Sequence, residues 1–219
     1  MRRTRNLRGK AGGAFGLFFL SSLVAFSQEI PDFGPDGMAG LGFDQRQKLV
    51  RGEIIHPKSL AQTTDGKTMI EAALLFEKPP EEVWQLLVRT ENQVKFLDQV
   101  KKVTIIRKEA SGDTLEFTTK ILTETLVFRV NHEFDEKNLF IRWALDKSFK
   151  NDLRELEGFW RFYPLCQSKT IARYGSRVKP NFPVPGFIYD VLARNDLRTA
   201  LASVKKYVDS GGVWSKDSS

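Results

Sequence analysis

The stretch "FEKPPEEVWQLL", residues 76–87, changes abruptly from a strand pattern to a helix pattern. Before it, "TMIEAALLF" (68–76) places apolar residues at alternate positions, which predicts a strand. Proline donates no ladder hydrogen bond, so Pro79 and Pro80 end that strand. Proline is also favoured in the first turn of a helix, and the two glutamates that follow suit a helix N-terminus. We therefore predict a strand that stops at the prolines and a helix that begins directly after them.

The rest of the chain predicts one further short helix, a run of strands and a long final helix. The short helix is expected over 91–99, and the final helix, about 33 Å long, over 187–208. A strand is also expected ahead of the quoted stretch, over 49–56. The following strands are expected over 100–109, 113–122, 125–134, 139–146, 152–165 and 169–180. A run of strands followed by a helix predicts an α+β fold.

The N-terminus has the features of an export signal. Residues 1–27 contain a basic segment, "MRRTRNLRGK", and then an apolar one, "AFGLFFLSSLVAF", followed by small residues. We expect cleavage before Gln28 and a secreted or periplasmic protein, and the alternative is an uncleaved membrane anchor. Most of the excess in the net charge of +7 lies in this segment, so the remainder has no electrostatic footprint for nucleic acid.

Composition predicts how the rest of the chain divides. Residues 28–47 are rich in glycine and proline and are expected to form a flexible leader, and 48–208 the folded domain. Residues 209–219 are expected to be a disordered tail. Cys166 is the only cysteine, so we expect no internal disulfide and a thiol that only packs.

Two short motifs, in this order and spacing, resemble the START-like superfamily. They are Pro80–Val83–Trp84 at the first helix and Gly158–Trp160 on a late strand. The superfamily is also called SRPBCC, the polyketide cyclase/dehydrase and lipid-transport group, and the resemblance covers about residues 48–208. It implies a helix-grip fold, in which a curved antiparallel sheet wraps around the long C-terminal helix. It also implies that the two short helices plug one end of an elongated apolar cavity.

Alternation along the strands predicts which side chains face that cavity. The same aromatic side chains would equally suit a closed core, and the resemblance is what favours a ligand site. The candidate ligand-binding residues are Phe117, Thr119, Phe128, His132, Trp143, Trp160, Phe162, Tyr174, Phe187 and Val191.

His132 is the one ionisable side chain that the alternation places among inward apolar neighbours. Histidine is suited to acid–base work near neutral pH. The spacing reveals no carboxylate partner for it, so it is expected to be either a base or a strand histidine with satisfied hydrogen bonds. No metal-ligand cluster, phosphate loop or nucleophile motif is present in the sequence, and no cofactor or metal is expected.

These features lead to three hypotheses. The first is an exported carrier of a hydrophobic small molecule, plausibly a lipid, with transient membrane contact and no nucleic-acid partner. The second is a cyclase- or dehydratase-type enzyme that acts on an apolar substrate in the same cavity. The third is a non-catalytic interaction module whose core is filled by side chains.

Overall fold

The computed structural model describes residues 30–56, 69–121, 124–181 and 186–218, with backbone alone for 186–196. The predicted signal peptide therefore lies outside the described residues. The elements in chain order are α1 (Phe43–Val50), β1 (Ile70–Phe76), α2 (Pro80–Leu87), a 3-10 turn (Thr90–Asn92), α3 (Gln93–Phe96), β2 (Val100–Glu109), β3 (Gly112–Ile121), β4 (Glu124–Asp135), β5 (Phe140–Leu145), β6 (Leu153–Cys166), β7 (Lys169–Pro180) and α4 (Gly186–Asp209).

The predicted α+β fold is confirmed. The seven strands form one antiparallel sheet in the order β1-β7-β6-β5-β4-β3-β2. Helix α4 packs against β1, α2 and α3. The predicted strands from β1 onward and the final helix agree with the structure to within about two residues at their ends, which is the usual uncertainty of such boundaries.

The two prolines perform the switch from strand to helix. Pro79 has extended backbone at the N-cap of α2, and Pro80 is the first helical residue. The buried face of α2 includes Trp84, whose ring meets Phe134 of β4 edge-on at 6.5 Å between centroids. Because α2 begins directly where β1 ends, it crosses the end of the sheet and buries its apolar face there.

The predicted strand over 49–56 is wrong. Residues 43–50 form α1, and only Ile55 makes a strand-like bridge, to Ala73 of β1. The segment "QRQKL" is rich in good helix formers, and their propensity outweighs the weak alternation that suggested a strand.

The described part of the predicted flexible leader is packed. We call residues 30–56 the N-terminal strap. Its apolar side chains form a second core against the face of the sheet opposite α4, together with Ala73, Leu75, Phe159 and Ile171. Both faces of β1 are therefore covered, which explains why all of its residues after Ile70 are buried. The buried strap residues are Phe33, Met38, Leu41, Leu49 and Ile55.

Arg173 of β7 fastens this strap. Its guanidinium donates to the carbonyls of Gly37 and Ala39, both at 3.2 Å, and to Glu71 of β1 at 3.4 Å. It also lies 3.9 Å from the centroid of the Phe33 ring. Burial raises the pKa of Glu71 and lowers the pKa of Arg173, because each loses hydration. The hydrogen bonds from Arg173 to the strap carbonyls and its ion pair with Glu71 together compensate for the lost hydration.

The described part of the predicted disordered tail is also packed. Gly211 and Gly212 adopt positive φ angles of 68° and 82° and end α4 by turning the chain back. Lys216 then donates from its backbone to the carbonyl of Lys95 at 2.9 Å and from Nζ to Val100 at 2.9 Å. Gly211 and Gly212, which suggested a frayed tail in the sequence, instead allow the chain to reverse its direction after α4.

Cys166 was expected to pack against other side chains, and the structure shows it exposed.

Replacing Arg173 tests the role of the strap. We expect Arg173→Ala to lower the free energy of unfolding by about 3–5 kcal/mol, because Glu71 stays buried without its partner. Arg107→Ala, at an exposed arginine of β2, serves as the control and should change it by less than about 0.5 kcal/mol. Urea denaturation measures both, and equal losses would contradict the account of the strap.

Candidate ligand-binding cavity

A cavity of about 230 Å³ lies between the sheet and the helices. Strands β3 to β7 supply one wall, and α2, α3 and α4 supply the other. Most of the lining is apolar, and Ala200 and Leu201 of α4 face the strands across it. At the β1 end of the sheet, side chains of the strands pack directly against those of α2 and α4. Farther along the sheet the side chains of the two walls do not meet, and the space between them is the cavity.

Most of the predicted site residues line this cavity. Phe162 does not: it is buried in the core beside Trp160, with 6.1 Å between the ring centroids. Phe187 and Val191 lie in the part of α4 whose side chains the structure does not describe. The predicted residues on the wall are Phe117, Thr119, Phe128, His132, Trp143, Trp160 and Tyr174.

One row of paired residues crosses the middle of the sheet. His132 pairs with Trp143, Trp143 with Gly158, and Gly158 with Ser176. A Cβ atom on Gly158 would lie 2.3 Å from the Trp143 indole and 2.5 Å from the carbonyl oxygen of Gly175. Glycine is required here because it lets the indole lie across β6, where it reaches the ring of Tyr174 at 5.8 Å between centroids.

A buried carboxylate accompanies His132. Asp113 of β3 lies directly opposite it across the β3–β4 pair, and Nδ1 of His132 is 2.6 Å from Oδ1 of Asp113. The side chain of His132 is 4% exposed and that of Asp113 is 0% exposed. The hydroxyl of Thr90 donates to the other oxygen of Asp113. A carboxylate accepts hydrogen bonds, so Nδ1 of His132 is the donor to Asp113.

Sequence reasoning missed Asp113 because the contact is between strands. The usable signal was the short connection, since only Leu122 and Thr123 separate β3 from β4. A two-residue connection fixes the register of a hairpin, and that register pairs Asp113 with His132.

Further polar side chains line the cavity, among them Thr119, Tyr174 and Arg89. The hydroxyl oxygen of Thr119 is buried and has no hydrogen-bond partner among the described residues. Burial raises the pKa of Tyr174 while a hydrogen bond with Ser176 opposes this, so the phenol keeps its proton and remains a donor. Arg89 is exposed and supplies positive charge to the lining.

The described residues contain neither a candidate metal-binding cluster nor a helix suited to crossing a membrane. No group of three or more histidine, cysteine, aspartate or glutamate side chains comes close enough to hold a metal ion in those parts of the chain. Among the same residues, no helix has both the length and the apolar character needed to cross a membrane.

The model of one protein family, described as polyketide cyclase / dehydrase and lipid transport, matches residues 76–205. The chain belongs to this family. The match begins at the end of β1 and ends within α4, so it includes the strands and helices that line the cavity and leaves out the N-terminal strap. No curated protein matches the chain.

Solved structures share the fold at low sequence identity. The Zhui aromatase/cyclase from Streptomyces sp. R1128 is 15% identical with a TM-score of 0.54, over 66% of this chain and 98% of that one. A START superfamily protein from Mycobacterium smegmatis is 18% identical with a TM-score of 0.56, over 65% and 97%. A STAR-related lipid transfer protein fragment from Xanthomonas axonopodis is 7% identical with a TM-score of 0.59, over 71% and 92%.

Gly158 provides a test of the cavity wall. We expect Gly158→Ala to lower the free energy of unfolding by about 1–3 kcal/mol and to change the Trp fluorescence spectrum, because the new methyl group displaces Trp143 and presses on backbone. Gly42→Ala, where the added Cβ meets only Gln45 at 3.8 Å, is the control and should cost less than about 1 kcal/mol. Urea denaturation measures the free energy of unfolding of both variants. Equal values would contradict the claim that the approach of Trp143 to β6 requires glycine at position 158.

Proposed function

We propose that this protein is an exported binding protein that carries a small, largely apolar molecule in the cavity between the sheet and α4. The observation that carries the proposal is the unfilled volume of about 230 Å³ behind a wall rich in aromatic side chains. Protein interiors are normally close-packed, so an unfilled volume of this size in a family that includes lipid transport supports a ligand site. The same volume argues against the filled-core module.

The size of the cavity narrows the ligand class. A cavity of about 150 Å³ lined by apolar side chains holds benzene, and typical ligand pockets are about 300–1,000 Å³. A volume of about 230 Å³ therefore suits two fused rings or a single short chain better than a lipid with two acyl chains. Thr119, with its unpartnered hydroxyl, supplies one site at which a polar group of that ligand would bond.

Export and membrane contact belong to the same proposal. The basic and apolar segments within residues 1–27 support export, and cleavage before Gln28 would release the folded domain outside the cytoplasm. A carrier of an apolar molecule exchanges its cargo where that molecule is soluble, so transient contact with a membrane surface fits this function.

One observation favours a second candidate, an enzyme of the cyclase or dehydratase type. Asp113 and His132 form a buried acid–base pair beside the cavity, and a carrier needs no such pair. The aromatase/cyclase from Streptomyces shares the fold, which is compatible with this candidate but does not assign the activity.

Filling the cavity from α4 tests the proposal. We expect wild-type protein to bind 2-naphthol, a neutral two-ring probe, with quenching of the cavity tryptophans Trp143 and Trp160. Ala200→Phe should raise the Kd at least about tenfold, a loss of about 1.4 kcal/mol, because the new ring occupies the ligand volume. Fluorescence titration measures the Kd.

Ala202→Phe is the matched control, because Ala202 lies on the same helix but does not line the cavity. Its Kd should stay within about twofold of wild type, since no ligand contact changes. Wild-type protein that bound neither 2-naphthol nor decanoic acid would contradict the proposed function. Equal losses in the two variants would place the site elsewhere.

A further inference from the structure

We infer that the molecule carried in the cavity is a carboxylic acid, held with its apolar body inside and its carboxylate against Arg89 at the opening. The inference rests on the proposed function, because it needs the same occupant in the same cavity. It goes further, because it assigns the charge of the ligand and names the residue that selects for that charge.

The first argument is the charge of the cavity wall. Among the described residues that line it, Arg89 alone carries a permanent charge, and none of them is an aspartate, a glutamate or a lysine. Other polar groups of the wall, such as Thr119 and Gln93, offer hydrogen bonds but no full charge. One cation balances the single charge of a carboxylate, whereas a phosphate monoester carries nearly two. The described wall therefore suits a ligand with one carboxylate.

The second argument is that the protein supplies no counter-ion for Arg89. Its guanidinium makes no ion pair or hydrogen bond with any of the described residues. The nearest acidic residue along the chain, Glu91, is instead engaged by Lys108, with 2.5 Å between Nζ and Oε1. An arginine in this situation is available for the charge-assisted hydrogen bonds that a ligand carboxylate accepts.

The third argument is that the backbone around Arg89 is held in place. Arg89 lies between α2 and the 3-10 turn, and its carbonyl accepts from the N–H of Asn92 at 2.9 Å. The next residue, Thr90, is buried and its hydroxyl donates to Asp113 of β3. The side-chain amide of Asn92 donates to the hydroxyl of Tyr207 on α4 at 3.1 Å. Because this connection is tied to the sheet and to α4, binding a carboxylate orders the arginine side chain but not the backbone.

The fourth argument is the position of Arg89 relative to solvent. Arg89 is exposed although it lines the cavity, so it lies where the cavity reaches the surface, whereas Phe117 and Val130 of the same wall are buried. Burying a carboxylate in an apolar volume without a partner is costly. At the opening the carboxylate keeps part of its hydration while the apolar body leaves water. The planar guanidinium also offers parallel N–H donors that match the two carboxylate oxygens.

A matched pair of two-ring probes tests the inference. At neutral pH 2-naphthoate is an anion and 2-naphthol is neutral, and quenching of the cavity tryptophans gives the Kd of each. We expect wild-type protein to bind 2-naphthoate more tightly. Arg89→Gln should raise the Kd for 2-naphthoate about fivefold, which is the upper end of the range for an exposed ion pair. The Kd for 2-naphthol should stay within about twofold, because that probe carries no charge.

Two further variants are the controls. Arg107→Gln removes the same charge from β2, at an exposed residue that does not line the cavity, and should leave both Kd values within about twofold. Arg89→Lys keeps the positive charge and should recover most of the affinity for 2-naphthoate. Thermal unfolding should give Arg89→Gln the Tm of wild type, since the exposed side chain has no partner among the described residues.

Salt gives a second readout of the same contact. Raising the ionic strength from about 0.01 M to about 1 M shortens the screening length from about 30 Å to about 3 Å. This change should weaken binding of 2-naphthoate relative to 2-naphthol in wild-type protein. The same change should have no such differential effect in Arg89→Gln.

The contrary results are distinguishable. Wild-type protein that binds 2-naphthol at least as tightly as 2-naphthoate would overturn the acid ligand and leave the binding function standing. An unchanged Kd for 2-naphthoate in Arg89→Gln, or an equal rise in Arg107→Gln, would also overturn the role of Arg89. Wild-type protein that binds neither probe and no decanoic acid would overturn both this inference and the proposed function.

Discussion

The packing of the last turns of α4 against β1 and α2 is the constraint on which the rest of the structure depends. Leu201, Val204 and Val208 meet the inner face of β1 and the buried face of α2, so the helix is anchored at that end of the sheet. Toward β3 and β4 the apolar side chains form a separate cluster. Ala200 is too small to bridge the remaining distance, and the cavity is the volume left between the two clusters. The closely packed end at β1 and α2 stabilises the fold, and the unfilled volume beside it leaves space for a ligand.

The sheet, the strand-to-helix switch and much of the cavity wall could be predicted from local signals. Period-two alternation locates the strands, and Pro79 and Pro80 mark the break, because both effects act within a few residues. The packing of the N-terminal strap could not be predicted in this way. Its glycine- and proline-rich stretch has no period, and its order depends on Arg173, which lies more than a hundred residues away in sequence.

The same division between local and distant signals applies to the candidate site. Alternation correctly placed His132 on the wall, since only the direction of its own strand was needed. Its partner Asp113 escaped notice, because recognising it requires the register of the β3–β4 pair. Phe162 was assigned to the wall by the same alternation that placed Trp160 there, and it lies in filled core instead. Alternation gives the face of a residue but not whether that face meets the cavity or another side chain.

The central claim is that a small molecule occupies the cavity, and native mass spectrometry tests it most directly. Residues 28–219 would be produced by export, purified without detergent and sprayed from volatile buffer. The account predicts a discrete added mass that is lost on organic extraction and is too small for a lipid with two acyl chains. Protein that stays bare, and that also takes up no added fatty acid or two-ring compound, would contradict it.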